Sequence, residues 1–221
     1  IFPLRPVKKI RVDHVLAWLK KKRTNITART ALVPIHALPD WTYDAKRGIV
    51  RHKRGTGYFF SVRGLLVTNA PGREVRQWNQ PIIIQKEGGH LAMLCQEREG
   101  AIKFLLQARY EPGNIANIQL GPTIQATQSN LKRHHRGEKP RFHEWLYNPK
   151  ATLIYQAKHS EEGARFWRKE NINSLILLSP QEKIYLSRDD NFIWLTLPEI
   201  KALMLEDNSI SPFVKTILAP L

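Results

Sequence analysis

Between residues 119 and 130 the chain reads QLGPTIQATQSN. Polar side chains recur at Gln119, Thr123, Gln125, Thr127 and Ser129, and Gln128 and Asn130 add two more, while Leu120, Ile124 and Ala126 supply the apolar positions. A period of two is the period of a strand, so the alternation predicts a strand whose amides and hydroxyls all point to one face. An ordinary core strand would put Val, Ile or Leu there. A polar row set among hydrophobic strands must satisfy its donors and acceptors internally or through a ligand. A ligand carrying many hydroxyls and a phosphate would satisfy them, and a sugar nucleotide has that chemistry. A solvent-exposed edge strand accounts for the same pattern with no ligand at all. The preceding segment favours the pocket: residues 104–110 (FLLQARY) form an apolar strand that runs into Glu111-Pro112-Gly113-Asn114, a tight-turn sequence. Two strands with a polar face should therefore lie side by side.

The 221 residues suit one large domain, and 42% hydrophobic content is enough for a real core. The charge balance is unusual, at net +16 with a pI near 10.2. Such a surface attracts polyanions, whether nucleic acid, anionic membrane or phosphorylated small molecules. The single cysteine, Cys95 in LAMLCQ, excludes an intramolecular disulfide and a multi-cysteine zinc site and is expected to be a small buried hydrophobe. No apolar run reaches the length of a membrane span and the start lacks a signal-peptide core, so a cytoplasmic protein without membrane contact is expected. Zinc signatures, the P-loop and GxGxxG are absent. Gly55-Thr56-Gly57 reads as a hairpin turn. The pair His134-His135 has no nearby ligand set and reads first as a solvated loop, with catalysis as the second reading if the loop folds over a pocket. The basic runs 20–23 and 132–141 are solvated faces first and phosphate or nucleic-acid contacts second.

Along the chain, residues 13–22 predict a helix capped by Asp13, with Val15, Leu16 and Leu19 as its apolar stripe. A connector with Pro34 and Pro39 follows. Strands are expected at 41–49, 58–62, 81–85, 101–110 and 173–178, with a basic turn at 51–57 and a helical or turn-like segment at 161–169. A last helix is expected over 194–205, with Thr196 or Pro198 at its start and Leu197, Ile200, Leu203 and Met204 inward. Strands dominate and helices flank them, which is an α+β domain. Residues 1–40 form a helix and connector, and 41–221 the main domain.

Several stretches together resemble one family. They are Trp78-Asn79-Gln80-Pro81-Ile82-Ile83 with Gln85, Glu87 and Gly89; the 104–114 segment; the 119–130 segment with Arg133 and His135; Ser160-Glu161-Glu162-Gly163-Ala164-Arg165-Phe166 with Lys169, Asn171 and Asn173; and Trp194-Leu195-Thr196-Leu197 with Asp207-Asn208. This order is similar to that of the nucleotide-diphosphate-hexose 2,3-dehydratases of deoxysugar biosynthesis, from about Trp41 onward. The resemblance implies a Nudix-like mixed β-sheet domain without the Nudix metal box: Glu161-Glu162-Gly163 lacks the upstream Arg-Glu, so metal-assisted pyrophosphate cleavage is not expected. Family members carry two such repeats and this chain carries one, so a homodimer is expected to recreate the pairing. Departures are Arg136 where a glycine is expected, Ile172 between the two asparagines, and Ser211, Phe213 and Lys215 in place of Asn, Asp and Arg. The family's two repeats are not equally active, and these departures leave a non-catalytic repeat open.

The implied substrate is a dTDP-linked 4-keto-6-deoxyhexose. Removing the C3 proton, next to the C4 ketone, gives an enolate, and the C2 hydroxyl then leaves from the β position. Oxidation level is conserved, so no cofactor is required. The residues the resemblance points to are Glu111 or His135 as base or acid and Tyr110 as a proton donor. Gln107, Gln125, Thr127 and Asn130 would hold sugar oxygens, with Asn114, Gln119, Thr123 and Ser129 lining the same wall. Arg109, Arg133 and Lys169 would pair with the pyrophosphate, and Trp41 or Trp78 would stack the thymine. A turn carboxylate bonded to backbone near Pro112 is the competing reading of Glu111. At the level of the whole chain, the competing readings are a non-catalytic sugar-nucleotide binder or scaffold and a basic nucleic-acid-binding domain. The polar row argues against the last.

Overall fold

The computed structural model describes residues 10–55, 57–134 and 137–221. They run α1 (Asp13–Thr24), β1 (Trp41–Asp44), β2 (Ile49–His52), β3 (Ser61–Val67), β4 (Trp78–Ile84), β5 (Gly89–Arg98), β6 (Ala101–Tyr110), β7 (Ile118–Gly121), β8 (Ile124–Thr127), α2 (Gln128–Leu131), β9 (Ala151–Ser160), β10 (Glu170–Leu178), β11 (Phe192–Thr196), α3 (Leu197–Leu203) and α4 (Pro212–Leu218). Strands β1 to β4 form an antiparallel meander. The larger sheet has the order β11-β6-β5-β10-β9, with β10 parallel to β5 and its other pairs antiparallel. The architecture is α+β, as expected.

The larger sheet is organised by a hairpin that opens halfway. β5 and β6 pair from Arg98↔Ala101 only as far as Leu94↔Leu105. Beyond that point they separate: β6 pairs with β7 (Gln107↔Gly121 to Tyr110↔Ile118), and β5 pairs with β8 (Ala92↔Ile124 to Gly89↔Thr127). Thr123 sits at the vertex, 1% exposed. Its hydroxyl accepts from the Leu94 N–H at 3.0 Å and donates to the Leu105 carbonyl, filling the place of a ladder bond. Gly121 and Pro122 immediately before it let the chain bend; Pro122 has no N–H to offer a ladder.

Alternation along these strands buries both faces. Leu91, Met93, Cys95, Phe104, Leu106 and Ala108 pack beneath Val15 and Leu19 of α1, Ile200 and Leu203 of α3, and Val214 and Ile217 of α4. Ala92, Leu94, Leu105, Ile124, Ile176 and Leu178 pack on the other side under Phe142, Ile184 and Phe192. Cys95 is 3% exposed, and burial pushes its thiol up to about 11, so it behaves as the small hydrophobe expected. The meander joins the larger sheet's periphery where the Ile83 N–H donates to Arg165 and the Ile83 carbonyl accepts from Trp167.

Several expectations need correcting. The 119–130 segment is not one strand: it divides into β7, the Pro122-Thr123 bend, β8 and α2, because each strand serves a different neighbour. The 194–205 segment is helical only from Leu197. Phe192 to Leu195 pair with β6, and the helix starts where Thr196 and Glu199 form a capping box. Asp13 does not cap α1. Val12 holds that position without a side-chain bond, and the Asp13 carboxylate accepts from Arg11 instead. The expected strand over 41–49 is two strands turning at residues 45–48, Arg51 and His52 lie within β2, and β3 begins at Ser61 rather than Tyr58.

Candidate functional site

The opened hairpin brings together residues from four segments of the expected set. Arg109 near the end of β6, Glu111 and Asn114 of the turn after it, Gln119 of β7 and Gln125 of β8 border one recess, with Gly121 and Ser211 completing it. The Glu111 carboxylate is its centre. Oε1 accepts from Gln125 Nε2 at 2.8 Å and from Arg109 Nε at 3.3 Å. Backbone bonds around the turn, Asn114 N–H to the Glu111 carbonyl and Glu111 N–H to the Asn117 carbonyl, hold it in place. The carboxylate thus turns towards β8 and Arg109 and not towards the Pro112-Gly113 backbone. Gln125 Oε1 is buried without a hydrogen-bond partner among the described residues, an unmet acceptor beside that carboxylate. The recess is filled by its own side chains, so a ring-sized ligand needs them to part.

A second polar cluster lies at the far end of β8. Thr127 caps α2, accepting from the Asn130 N–H at 3.3 Å, and its hydroxyl lies 2.8 Å from that of Ser129. Ser129 is 1% exposed, and its N–H and hydroxyl both reach the Glu87 carboxylate. Asn130 is exposed. Arg133, at φ 59°, donates to the Gly137 carbonyl at 3.3 Å. His135 lies outside the described residues.

The remaining expected residues are dispersed. Tyr110 ends β6 and packs against the helix-covered core. Gln107 borders a groove between β6 and the segment after α1 and does not line the Glu111 recess. Thr123, in the expected ligand wall, is committed to the backbone of β5 and β6. Lys169 Nζ lies 2.8 Å from Gln85 Oε1 and 3.6 Å from the Glu161 carboxylate, with its side chain 10% exposed. Glu161 also accepts from Asn171 Nδ2 at 2.5 Å, and Asn171 Oδ1 accepts from the Gly89 N–H at 2.8 Å. Trp41 and Trp78 are both in the meander: Trp41 packs on Phe60 (centroids 4.6 Å apart), and Trp78 Nε1 donates to Gln80 at 2.7 Å. The basic run of α1 is anchored internally: Arg23 donates to the carbonyls of Ile118 and Asn208, and Lys22 to that of Asp189. Among the described residues no three His, Cys, Asp or Glu side chains converge to hold a metal ion, and no helix is long and apolar enough to cross a membrane.

His90, next to Gly89 on β5, went unnoticed in the sequence because a lone histidine in an apolar strand carries no motif. It is 9% exposed, and its Nε2 lies 2.8 Å from Gln128 Nε2, an arrangement in which the amide donates to a neutral imidazole. Burial lowers its pKa. The unfolded chain takes up this proton near the ordinary value of about 6.5, whereas the folded chain resists until lower pH. The contribution to stability is therefore complete above that value and is lost as pH falls through the window beneath it. The urea midpoint should fall between pH 7 and pH 5, and His90→Gln should flatten that dependence. An equally steep fall in the variant would assign the pH dependence elsewhere.

Comparison with known proteins adds three relatives and a family. A model of the family described as NDP-hexose 2,3-dehydratase matches residues 12–221. A dTDP-4-dehydro-6-deoxy-alpha-D-glucopyranose 2,3-dehydratase from Amycolatopsis orientalis is 33% identical over 215 residues, which is 95% of this chain and 44% of that protein. Proteins of the same name from Saccharopolyspora spinosa and Streptomyces violaceoruber are 35% and 34% identical, covering 91% and 93% of this chain and 40% and 45% of their own lengths. The chain thus spans less than half the length of these relatives. Among solved structures, an ADP compounds hydrolase overlaps 72% of this chain and 83% of its own at a TM-score of 0.44 and 12% identity. A Nudix hydrolase from M. smegmatis overlaps 71% and 96% at 0.37 and 12%. These overlaps are too loose to bear on the site.

Proposed function

The chain belongs to the NDP-hexose 2,3-dehydratase family, and on that premise we propose that it acts on a dTDP-linked 4-keto-6-deoxyhexose, eliminating water across C2 and C3. The observation that carries this reading is the Glu111 carboxylate, held between Arg109 and Gln125 at the mouth of the opened hairpin. Glu111 takes the C3 proton. The pair of electrons moves into the C4 carbonyl as the enolate, then returns to expel the C2 hydroxyl, which leaves as water after protonation. The resulting 2,3-enol tautomerises to the 3,4-diketo sugar. Gln125 and Arg109 fix the carboxylate and neighbouring donors meet the growing negative charge at the C4 oxygen, the kind of preorganised contact that lowers such barriers. His135 is the candidate for the proton delivered to the leaving hydroxyl, and Tyr110, next to Glu111 in sequence but packed on the helix-covered core, is the alternative that would have to turn to reach it.

The filled recess supports a second reading, a repeat that binds the sugar nucleotide without turnover. One experiment separates the two. Incubated with dTDP-4-keto-6-deoxyglucose, the protein should consume the substrate and form the 3,4-diketo product; saturable dTDP binding without product would select the second reading. A homodimer is part of the proposal, since a second copy supplies a second fold of this kind. The same preparation should then sediment at twice the 25.6 kDa chain mass.

A further inference from the structure

One face of the meander carries a cationic cavity that the site above does not use. Arg51, Ser61 and Ile84 form a single cross-strand row, since Arg51 pairs with Ser61 and Ser61 with Ile84. Arg63 lies two residues along β3 on the same face, Arg47 reaches over from the β1–β2 turn, and Lys86 follows β4. Together they border a cavity of about 270 Å³, just under the range of about 300–1,000 Å³ usual for small-ligand pockets. Its other wall is aromatic: Phe59 and Phe60 line it, and the His52 ring stacks on Phe59 with centroids 3.7 Å apart and planes 6° from parallel.

The charge of this cavity is poorly compensated. Among the described residues Asp44 is the one carboxylate that reaches these cations, 4.0 Å from Arg47 and 3.7 Å from Arg51. Arg63 and Lys86 are exposed and have no ion-pair or hydrogen-bond partner among the described residues. Arg51 Nε is buried and equally without an acceptor. A second cationic segment is brought up against the first, because Tyr58 stacks on His134 with centroids 4.2 Å apart, in the loop that holds Lys132 and Arg133. Two basic segments far apart in sequence are thus joined by an aromatic stack, and the second adds to the positive potential around the cavity although it does not line it. The expected phosphate partners are less available: Arg109 is held by Glu111, and Lys169 by Glu161.

From this we infer that the cavity of Arg51, Arg63 and Lys86 binds the diphosphate of a nucleoside diphosphate, with its aromatic wall against the base. Guanidinium groups from neighbouring strands suit a diphosphate because each presents parallel donors to non-bridging oxygens. Lys86 is one residue from Glu87, the carboxylate that holds Ser129, so a bound diphosphate would lie beside the polar end of β8. The choice of thymidine diphosphate as probe rests on the sugar-nucleotide reading; the cavity itself does not.

The test is calorimetric titration of the full chain with thymidine diphosphate and, separately, with thymidine. Arg63→Gln with Lys86→Gln should raise the thymidine diphosphate Kd by about 100-fold, roughly tenfold for each cation removed. Lys201→Gln with Lys215→Gln removes the same charge from α3 and α4 and should leave it unchanged. Thymidine alone should bind far more weakly than its diphosphate in the wild type. Absence of saturable thymidine diphosphate binding in the wild type, an unchanged Kd in the Arg63 and Lys86 variant, or equal losses in both double variants would overturn the assignment. The outcome is separable from that of the proposed reaction. Binding lost in the first variant by a chain with no turnover sinks the dehydratase reading alone, and a turning-over chain indifferent to Arg63 and Lys86 sinks this one alone.

Discussion

Replacing Glu111 by glutamine is expected to lower kcat for consumption of the 4-keto sugar nucleotide by about 10²–10⁴-fold, the usual worth of a positioned general base. The substitution keeps size and can keep one oxygen facing Gln125, but the amide cannot accept the C3 proton. The surroundings tolerate the change: Arg109 and Glu111 have side chains that are each 33% exposed, and an ion pair that open contributes about 0–1 kcal/mol. Thermal unfolding should therefore move little while turnover collapses, and KM should be nearly unaltered. Full activity in Glu111→Gln beside an active wild type would remove Glu111 from the mechanism and shift the role of base to His135, which His135→Asn then tests.

Glu161→Leu should be the most destabilising of the polar substitutions considered, by about 3–5 kcal/mol, because it strands a buried cation. Glu161 and Lys169 are 14% and 10% exposed at their side chains, and the same carboxylate meets Asn171 Nδ2 at 2.5 Å. The leucine leaves Lys169 Nζ with Gln85 and the face of the Phe166 ring but no counter-charge, and leaves the Asn171 amide unpaired. Pairing the change with Lys169→Met should restore most of the loss, since two apolar groups of similar size replace both members. Urea unfolding of the two single variants and the double variant measures the coupling directly. If Lys169→Met alone unfolds at the wild-type midpoint yet abolishes thymidine diphosphate binding, Lys169 is a ligand cation and its bond to Glu161 is incidental.

Local periodicity made much of the framework legible. The β6 strand, the Pro112-Gly113 turn and the partner strand after it follow from apolar alternation and turn chemistry over a dozen residues, and Arg109, Glu111, Asn114, Gln119 and Gln125 converge at one recess. The 119–130 pattern reads as a single face and is not one, because alternation reports which side chains differ, not which strand lies alongside. Thr123 and Gln125 are polar for unrelated reasons, one to bridge backbone and one to meet Glu111. The contact between Lys169 and Glu161, eight positions earlier, is likewise not legible, because only the pairing of β9 with β10 brings the two together. Of the meander cavity only the basic stretch at 51–57 shows in local sequence, since its other cations come from a turn, a second strand and a linker that only pairing assembles.

The divided hairpin also dictates an order of events. Its closed half, residues 94–105, can zip from a two-residue turn, but the facing edges of the free arms of β5 and β6, whose outer edges pair with β10 and β11, stay open until residues 118–127 arrive and Thr123 seats between them. Closure of that region waits on a longer search, the kind of non-local step that slows assembly. Parting β7 from β6, or β8 from β5, would open the filled recess around Glu111 while the β5–β10 and β6–β11 pairs keep the sheet joined beneath it.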